Sequence, residues 1–494
     1  MQLTIGGLFY EGNLHSSDRR RDALKLAIED VNNAGGVLGS DVVLEEELVA
    51  HTDGRATDQS LQEAVNRLAE KDVDAVVTAL ISDDQLRLPD LPGGLVQISG
   101  NQTSSELSGS DRGRYLRTIP SDALQGRLIA DRVIATNPNT TVLLRESGSS
   151  YGDSLAEAYQ ARLVELGAGP ASEEVYSQVD DDLLDAVIAG GADSVVFFGF
   201  DADAAALVLG LASRQRLEGV DLWLSDASDD VATKVAERGG AVELLNGARL
   251  IYPSPDSSRR TADEFQNRVN ESASGSTETF AFTYLPEIYD AATLIALAAS
   301  SARCDGASEF ADHIAFSSTA GAKCGSFETC HELLRSGEDP NIDYDGVSGD
   351  VDLNDTGDLQ RGGYRLDTFG NDGIDESKRI YILEPVVETT PVVRIPRIEF
   401  EEGSSELDSD DFPRLETAIE ILSRDDVTSV EIQGYESIEP GGTDGALADM
   451  RANVVFEYLV SRGVPAEKLD PVGKFETDKF PINTVAVFVD RSDR

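Results

Sequence analysis

The first 250 residues alternate between short apolar runs and helical patterns, and this rhythm restricts the fold more than any other feature. Leu3-Thr4-Ile5 and Leu8-Phe9 read as one strand. A helix follows over about 18–33, where Leu24, Ala27, Ile28 and Val31 fall at i, i+3, i+4 and i+7 and form one buried stripe. Asn33-Ala34-Gly35-Gly36 ends it with the glycines a helix C-cap needs. Val42-Val43-Leu44 is the next strand, and helix 57–70 carries Leu61, Ala64, Val65 and Leu68 on one face. Ala75-Val76-Val77 is apolar throughout, as a strand covered on both faces must be, and 95–98 is another. The rhythm restarts after Pro120: helix 122–135, strand 141–144, helix 152–166, strand 194–198, helix 202–213, strand 222–224. Alternating units of this kind predict doubly wound parallel sheets, and two runs predict two lobes. Helix 286–302 is a later element of the same body.

Residues 384–396, EPVVETTPVVRIP, hold three prolines and no helical period, so they read as an extended linker. Beyond it lie strand 397–400, helix 412–422, strand 427–433, helix 444–462 and strand 485–490, a separate α+β domain of about 100 residues.

The 494 residues carry 41 Lys and Arg against 91 Asp and Glu, a net charge of −50 spread along the whole chain. Such a surface repels nucleic acid and is best suited to a salty medium that screens its self-repulsion. No run is long and apolar enough to span a bilayer. No export signal is visible, which fits either a cytoplasmic protein or a chain already separated from its signal. The four histidines and three cysteines show no metal-ligand spacing, so neither metal nor cofactor is expected. Cys324 and Cys330 flank a short segment; the reading favours a disulfide, as in an oxidising compartment, over two free thiols, with Cys304 left over.

Gly148-Ser149-Ser150-Tyr151-Gly152 matches G-x-S-x-G, the pattern of a hydrolase nucleophile elbow around Ser150. Three features oppose it. Arg145, Glu146 and Ser147 separate the apolar strand from Gly148, no HGGG-type oxyanion stretch exists, and the only later histidines are His313 and His331.

Five segments appear in order: LAIEDVNNAGGVLG (26–39), YLRTIPSDALQGRLIA (115–130), SSYGDSLAEAYQARL (149–163), TYLPEIYDAATLIA (283–296) and VSGDVDLNDTGDLQRGGY (347–364). Together they resemble the periplasmic binding proteins of the leucine/isoleucine/valine type, over nearly all of 1–383. The resemblance implies two doubly wound lobes with a ligand cleft between them. Lobe one would take about 1–120 and 250–330, lobe two about 121–249 and 340–383. It also implies a small ligand, an amino acid, and an ABC permease as partner, in the periplasm or cell envelope. Residues 397–494 resemble the OmpA-like peptidoglycan-binding domain through IEFEEGSSELD (398–408), VEIQGY (430–435), ALADMRANVVFEYLVSRGVPAEKL (446–469) and Asn483. Arg451 matches that family's ligand arginine. The position of its aspartate falls at Glu436 or Ser437, and Thr484 and Val485 replace its usual arginine pair. Arg451 reads equally well as an exposed helix arginine paired with Asp444 or Asp449.

Ligands of such sheets sit at the carboxyl ends of strands. There, Ser82, Asn101 and Thr103 lie in loops suited to a carboxylate, with ordinary helix capping as the alternative. Asp226 matches the family's acidic position for the ammonium; Asp290 is a second acid whose use is structural. Tyr10, Tyr151 and Phe200 match ligand-covering aromatics, Phe200 replacing a usual tyrosine. The leading expectation is a solute-binding protein without catalysis, for import or sensing. The alternatives are a wall-associated structural protein with a degenerate cleft and, last, a serine hydrolase using Ser150.

Overall fold

The computed structural model describes most of residues 2–491; the larger segments outside it are 110–114, 255–259, 273–283, 304–312, 337–340, 386–394, most of 408–426, 436–445 and 475–483. The first sheet has five parallel strands: β1 (Thr4–Tyr10), β2 (Val43–Val49), β3 (Ala75–Thr78), β4 (Val96–Ser99) and β5 (Tyr115–Arg117), in spatial order β2-β1-β3-β4-β5. Side chains of β1 alternate between two cores. Ile5 and Phe9 pack with α1 (Ser17–Asn33), while Leu8 and Tyr10 pack with α2 (Asp58–Glu70). The short α3 (Ser82–Arg87) follows β3. Thr57 and Ser60 close a reciprocal capping box that starts α2.

Past the crossing at 118–121, α4 (Asp122–Ala135), β6 (Thr141–Glu146), α5 (Ser150–Glu165), β7 (Ser172–Tyr176), α6 (Asp181–Ala189), β8 (Ser194–Phe198), α7 (Asp201–Ser213), β9 (Asp221–Ser225), α8 (Val231–Glu237) and β10 (Arg249–Pro253) build the second lobe. Its helices start on side-chain caps that the sequence supplies, Ser121 for α4, Ser149 for α5 and Asp180 for α6. The chain then returns to the first core with α9 (Arg260–Ser272), α10 (Leu285–Ala302), β11 (Ala322–Cys324), α11 (Phe327–Ser336) and β12 (Ile342–Tyr344). It finally re-enters the second sheet with β13 (Arg361–Gly370), β14 (Gly373–Ile374) and β15 (Ile380–Pro385), all antiparallel there. The order of the second sheet is β14-β13-β10-β9-β8-β6-β7, with β15 against β13.

Two expectations about the crossings need correction. Residues 249–253 belong to the second sheet, hydrogen-bonded to β9 and β13, so the return to lobe one falls after Pro253. Residues 342–359 belong to lobe one, because Ile342, Tyr344, Val347, Val351, Leu353 and Leu359 fill its core; the final crossing therefore comes just before Arg361 rather than at 340. Cys324 and Cys330 are disulfide-bonded across β11 and α11, with Cα atoms 5.2 Å apart.

The C-terminal region has β16 (Ile395–Glu399), β17 (Val427–Tyr435), α12 (Ala446–Ser461), β18 (Leu469–Lys474) and β19 (Thr484–Arg491), in sheet order β16-β19-β17-β18. Of the expected linker, 384–385 end β15, 395–396 begin β16, and 386–394 lie outside the described residues, as do most of helix 412–422, Cys304, Glu436, Ser437 and Asn483.

Candidate functional site

The strands of both parallel arrays end at the junction of the lobes, and the loops that follow them carry the site. Asp226 comes directly after β9 and is buried to 1 % exposure. Its Oδ1 accepts from the Tyr151 hydroxyl at 2.6 Å and from Gln125 Nε2 at 2.8 Å, and its Oδ2 accepts from the Tyr284 hydroxyl. Tyr151 stands in the first turn of α5 and Gln125 in that of α4, both on lobe two. Tyr284 precedes α10 on lobe one, with φ at +73°. Asp226 is thus the point where donors from both lobes converge.

A second carboxylate lies beside it. Asp122, at the start of α4, is fully buried, and neither of its oxygens has a hydrogen-bond partner of good geometry, although the Thr103 hydroxyl acts on it. Burial and then the charge of Asp226 push the Asp122 carboxyl well above the usual carboxylate range. Burial also raises Asp226, against the lowering effect of its three donors. Burial, then the charge of Asp226, pushes the Tyr151 and Tyr284 hydroxyls upward. Burial and mutual repulsion keep a proton on the pair when nothing is bound, and an ammonium that donates several hydrogen bonds can take that proton's place and let both carboxylates ionise.

The loops of lobe one bring Ser82, Asn101 and Thr103 close together, but mostly onto each other. Ser82 Oγ accepts from the Ser104 amide at 3.3 Å, and Asn101 Nδ2 donates to the Leu80 carbonyl at 2.8 Å. The Thr103 carbonyl accepts from the Asp122 amide at 2.7 Å, joining this loop to lobe two. Buried Arg117 braces the loop from below, its Nη1 donating to the carbonyls of Gln102 and Ser104 and its Nε to Asp358. Phe200 precedes α7, with its ring 5.9 Å from that of Tyr151.

Tyr10 departs from its expected place. Its ring is wholly buried, its hydroxyl donates to Asp84 at 2.5 Å and accepts from the Ile81 amide, and its edge meets His51. It belongs to the core of lobe one, not to a rim over ligand. Asp290 is structural, as expected: it accepts from the Tyr344 hydroxyl, the Val347 and Ser348 amides and the Ser348 hydroxyl. Arg451 is fully buried, which corrects the alternative of an exposed surface ion pair. Its Nε donates to the Ser404 carbonyl at 2.8 Å and its guanidinium lies 5.4 Å from the Phe400 ring centre.

Among the described residues, no histidine pairs with Ser150. Its hydroxyl is buried without a partner, while His313 faces Ser301 and His331 packs on Phe327. Its amide instead donates to Asp83 of lobe one at 2.8 Å. Further contacts cross the cleft: Ser104 Oγ and the Ser105 amide meet Ser154 Oγ at 3.0 and 3.1 Å, and Arg55 reaches Glu146 at 3.8 Å. The lobes are therefore closed on each other. Among the described residues, no helix is long and apolar enough to cross a membrane and no group of His, Cys, Asp and Glu could hold a metal ion.

The sequence reading missed Asp122, Gln125 and Tyr284. Asp122 and Gln125 read as the ordinary start of helix 122–135, and nothing local shows that they face Asp226. Tyr284 precedes a proline-started helix, and its approach to Asp226 depends on the left-handed backbone at that position.

Comparison with known proteins places this geometry in context. Residues 19–369 match the family described as "Receptor family ligand binding region", and 399–487 match the OmpA family. A Leu/Ile/Val-binding protein homolog 3 of Brucella melitensis is 24% identical over 203 residues, 40% of this chain and 52% of that protein. The Leu/Ile/Val-binding protein BraC3 of Rhizobium johnstonii is 24% identical over 186 residues, 37% of this chain and 49% of that protein. The chain thus matches about half the length of these curated relatives. The fold is that of the substrate-binding protein LivJ of Streptococcus pneumoniae in complex with isoleucine, with a TM-score of 0.61, 17% identity, and coverage of 78% of this chain and 100% of that one. It is also that of the leucine-binding protein LivK of Thermotoga maritima, with a TM-score of 0.60, 16% identity, and coverage of 78% and 99%. The match over 19–369, the two-sheet architecture and the interlobe site agree: the chain belongs to the receptor family of ligand-binding regions, has the type I periplasmic-binding fold of LivJ and LivK, and carries an OmpA-family domain at its C-terminal end.

Proposed function

We propose that this protein is a solute-binding protein of the cell envelope that closes its lobes over a small amino acid and has no catalytic role. The observation that carries this reading is the buried Asp226–Asp122 pair, ringed by Tyr151 and Gln125 from one lobe and by Tyr284 and Thr103 from the other. A ligand ammonium replaces the proton that the pair otherwise retains and gives Asp122 the donor it lacks. The strand-end loops of Ser82, Asn101 and Thr103 lie alongside and wall this end of the cleft with hydroxyl and amide side chains. Closure of the lobes then reports occupancy to a partner, an ABC-class permease for import or a receptor for sensing. The names of the relatives, Leu/Ile/Val-binding proteins, favour an aliphatic amino acid. The OmpA-family domain favours tethering to peptidoglycan, with buried Arg451 as the ligand arginine of that domain.

The test is thermal unfolding in high salt against millimolar amino acids and small carboxylates. A ligand at 100 times its Kd adds about 2.7 kcal/mol and raises Tm. Asp226→Asn and Tyr151→Phe should each weaken that ligand by about 10- to 100-fold, as loss of a charge-assisted hydrogen bond does. A panel that leaves Tm unmoved removes the reading and returns the cleft to a structural role.

A further inference from the structure

Arg20, on the first turn of α1, is 5 % exposed, and its surroundings do not neutralise it. Its one hydrogen bond among the described residues runs from Nη1 to the Ala79 carbonyl, at 3.3 Å. Its Nε is buried with no hydrogen-bond partner among the described residues. The guanidinium lies 5.1 Å from the centre of the Tyr284 ring, whose hydroxyl binds Asp226. The charges and polar rings acting on it are Tyr284, Asp229 from lobe two and Tyr10, and no carboxylate among the described residues forms an ion pair with it.

This cation lies beside the groups that lobe one brings to the interlobe site. Ala79 follows β3 at its carboxyl end, at the root of the loop that holds Ser82. Tyr284 is the residue through which lobe one reaches Asp226. A guanidinium keeps its proton at any pH a protein meets, so it cannot avoid burial by becoming neutral. With one long hydrogen bond among the described residues and a buried, unpaired Nε it is costly to bury, whereas a carboxylate seated on its planar fork would satisfy two N–H groups at once.

We propose that Arg20 is a specificity-determining residue of the cleft, which receives a carboxylate of the ligand and so restricts the site to amino acids with an accessible acid group. The inference rests on the solute-binding reading above. One tyrosine ring separates the cation from the Asp226–Asp122 pair, so a single small zwitterion places its ammonium at one end and its acid at the other. The acid is either the α-carboxylate of an aliphatic amino acid or the side-chain carboxylate of an acidic one.

Isothermal titration calorimetry of the full chain separates these cases. The probes are L-leucine against leucinamide, which removes the α-carboxylate, and L-glutamate against L-glutamine, which removes the side-chain acid. On the wild type, at least one amide should bind ten-fold or more weakly than its acid, and which one identifies the carboxylate. Arg20→Gln should reduce affinity for that acid at least ten-fold, and Arg20→Lys, which keeps the charge, should restore part of it. Equal binding of acid and amide in both pairs overturns the inference, and needs no variant to fold. So does an acid that binds wild type and a folded Arg20→Gln equally well. If no probe binds the wild type, the solute-binding reading fails and this inference fails with it; if a probe binds regardless of Arg20, only this inference fails.

Discussion

Asp226, just past a strand, and Asp290, inside α10, are both buried acids, yet their partners give them opposite roles. Asp290 is filled by four donors from β12 and the loop after it, and an added Cβ at Gly346 would sit 2.2 Å from its carboxylate. Nothing from outside can reach it. Asp290→Ala should therefore destabilise the protein by about 3 kcal/mol, because it strands buried donors, while the remaining folded protein binds ligand normally. Chemical denaturation followed by titration checks both halves. Burial also raises the Asp290 pKa to about 6. A carboxyl raised above its unfolded value of about 3.9 favours folding in its protonated form. That contribution is complete below pH 4 and is lost as pH rises through 6. Wild type should lose stability across this window, and Asp290→Asn should flatten the slope; an unchanged slope in the variant would assign it to other groups, such as Asp352, also raised to about 6.

At the scale of elements, the patterns that proved readable were those buried on both sides. Ala75-Val76-Val77 and residues 195–198 are apolar throughout because helices cover both faces of their sheets, and they stand as strands where expected. The segments that escaped notice are edges and late insertions. Ser172–Tyr176 is an edge strand whose side chains are mostly solvent-facing, and β13 and β15 mix charged and apolar residues because they are antiparallel additions to a parallel sheet. The place of β13 is set by contacts with chain 110 or more residues distant, as in the Arg249–Thr368 register, and no local period records it. The candidate site divides the same way. Asp226, Tyr151 and Thr103 were legible because each follows a strand, whereas Asp122, Tyr284 and Arg20 depend on which helix ends face each other. Gly100 shows how tightly these ends meet: an added Cβ would lie 2.5 Å from the Ile288 amide of α10. The Cys324–Cys330 bridge closes a short loop at the far end of lobe one. Replacing both cysteines with alanine should cost about 2 kcal/mol by the chain-entropy relation and leave ligand affinity within two-fold. Denaturant midpoints and calorimetry test the pair of outcomes, and a large loss of affinity would mean that α11 communicates with the cleft.

The whole molecule carries a net charge of −50, and its stability should depend on salt in a definite direction. Two electrostatic effects compete. Exposed ion pairs such as Arg127–Glu165 and Arg214–Asp181 are weakened by salt, and each is worth at most about 1 kcal/mol. Repulsion among the unpaired acids is relieved by salt, and it grows with the square of the net charge while the pairs only add singly. With more than twice as many acidic as basic residues, repulsion is the larger effect. The Debye length falls from about 30 Å at 0.01 M to about 3 Å at 1 M, from the size of a lobe to that of a single contact. Tm should therefore rise steadily with sodium chloride across this range. The lobes should also close more readily, because the interlobe contacts around Asp83, Arg55 and Glu146 bring acids from both sides together with a single arginine between them. Scanning calorimetry at stepped salt, with sucrose at matched osmolality as the uncharged control, isolates screening from general exclusion. A Tm that falls with salt would mean that the ion pairs, not the excess acids, govern the electrostatics of the fold, and a rise matched by sucrose would assign the effect to apolar burial instead.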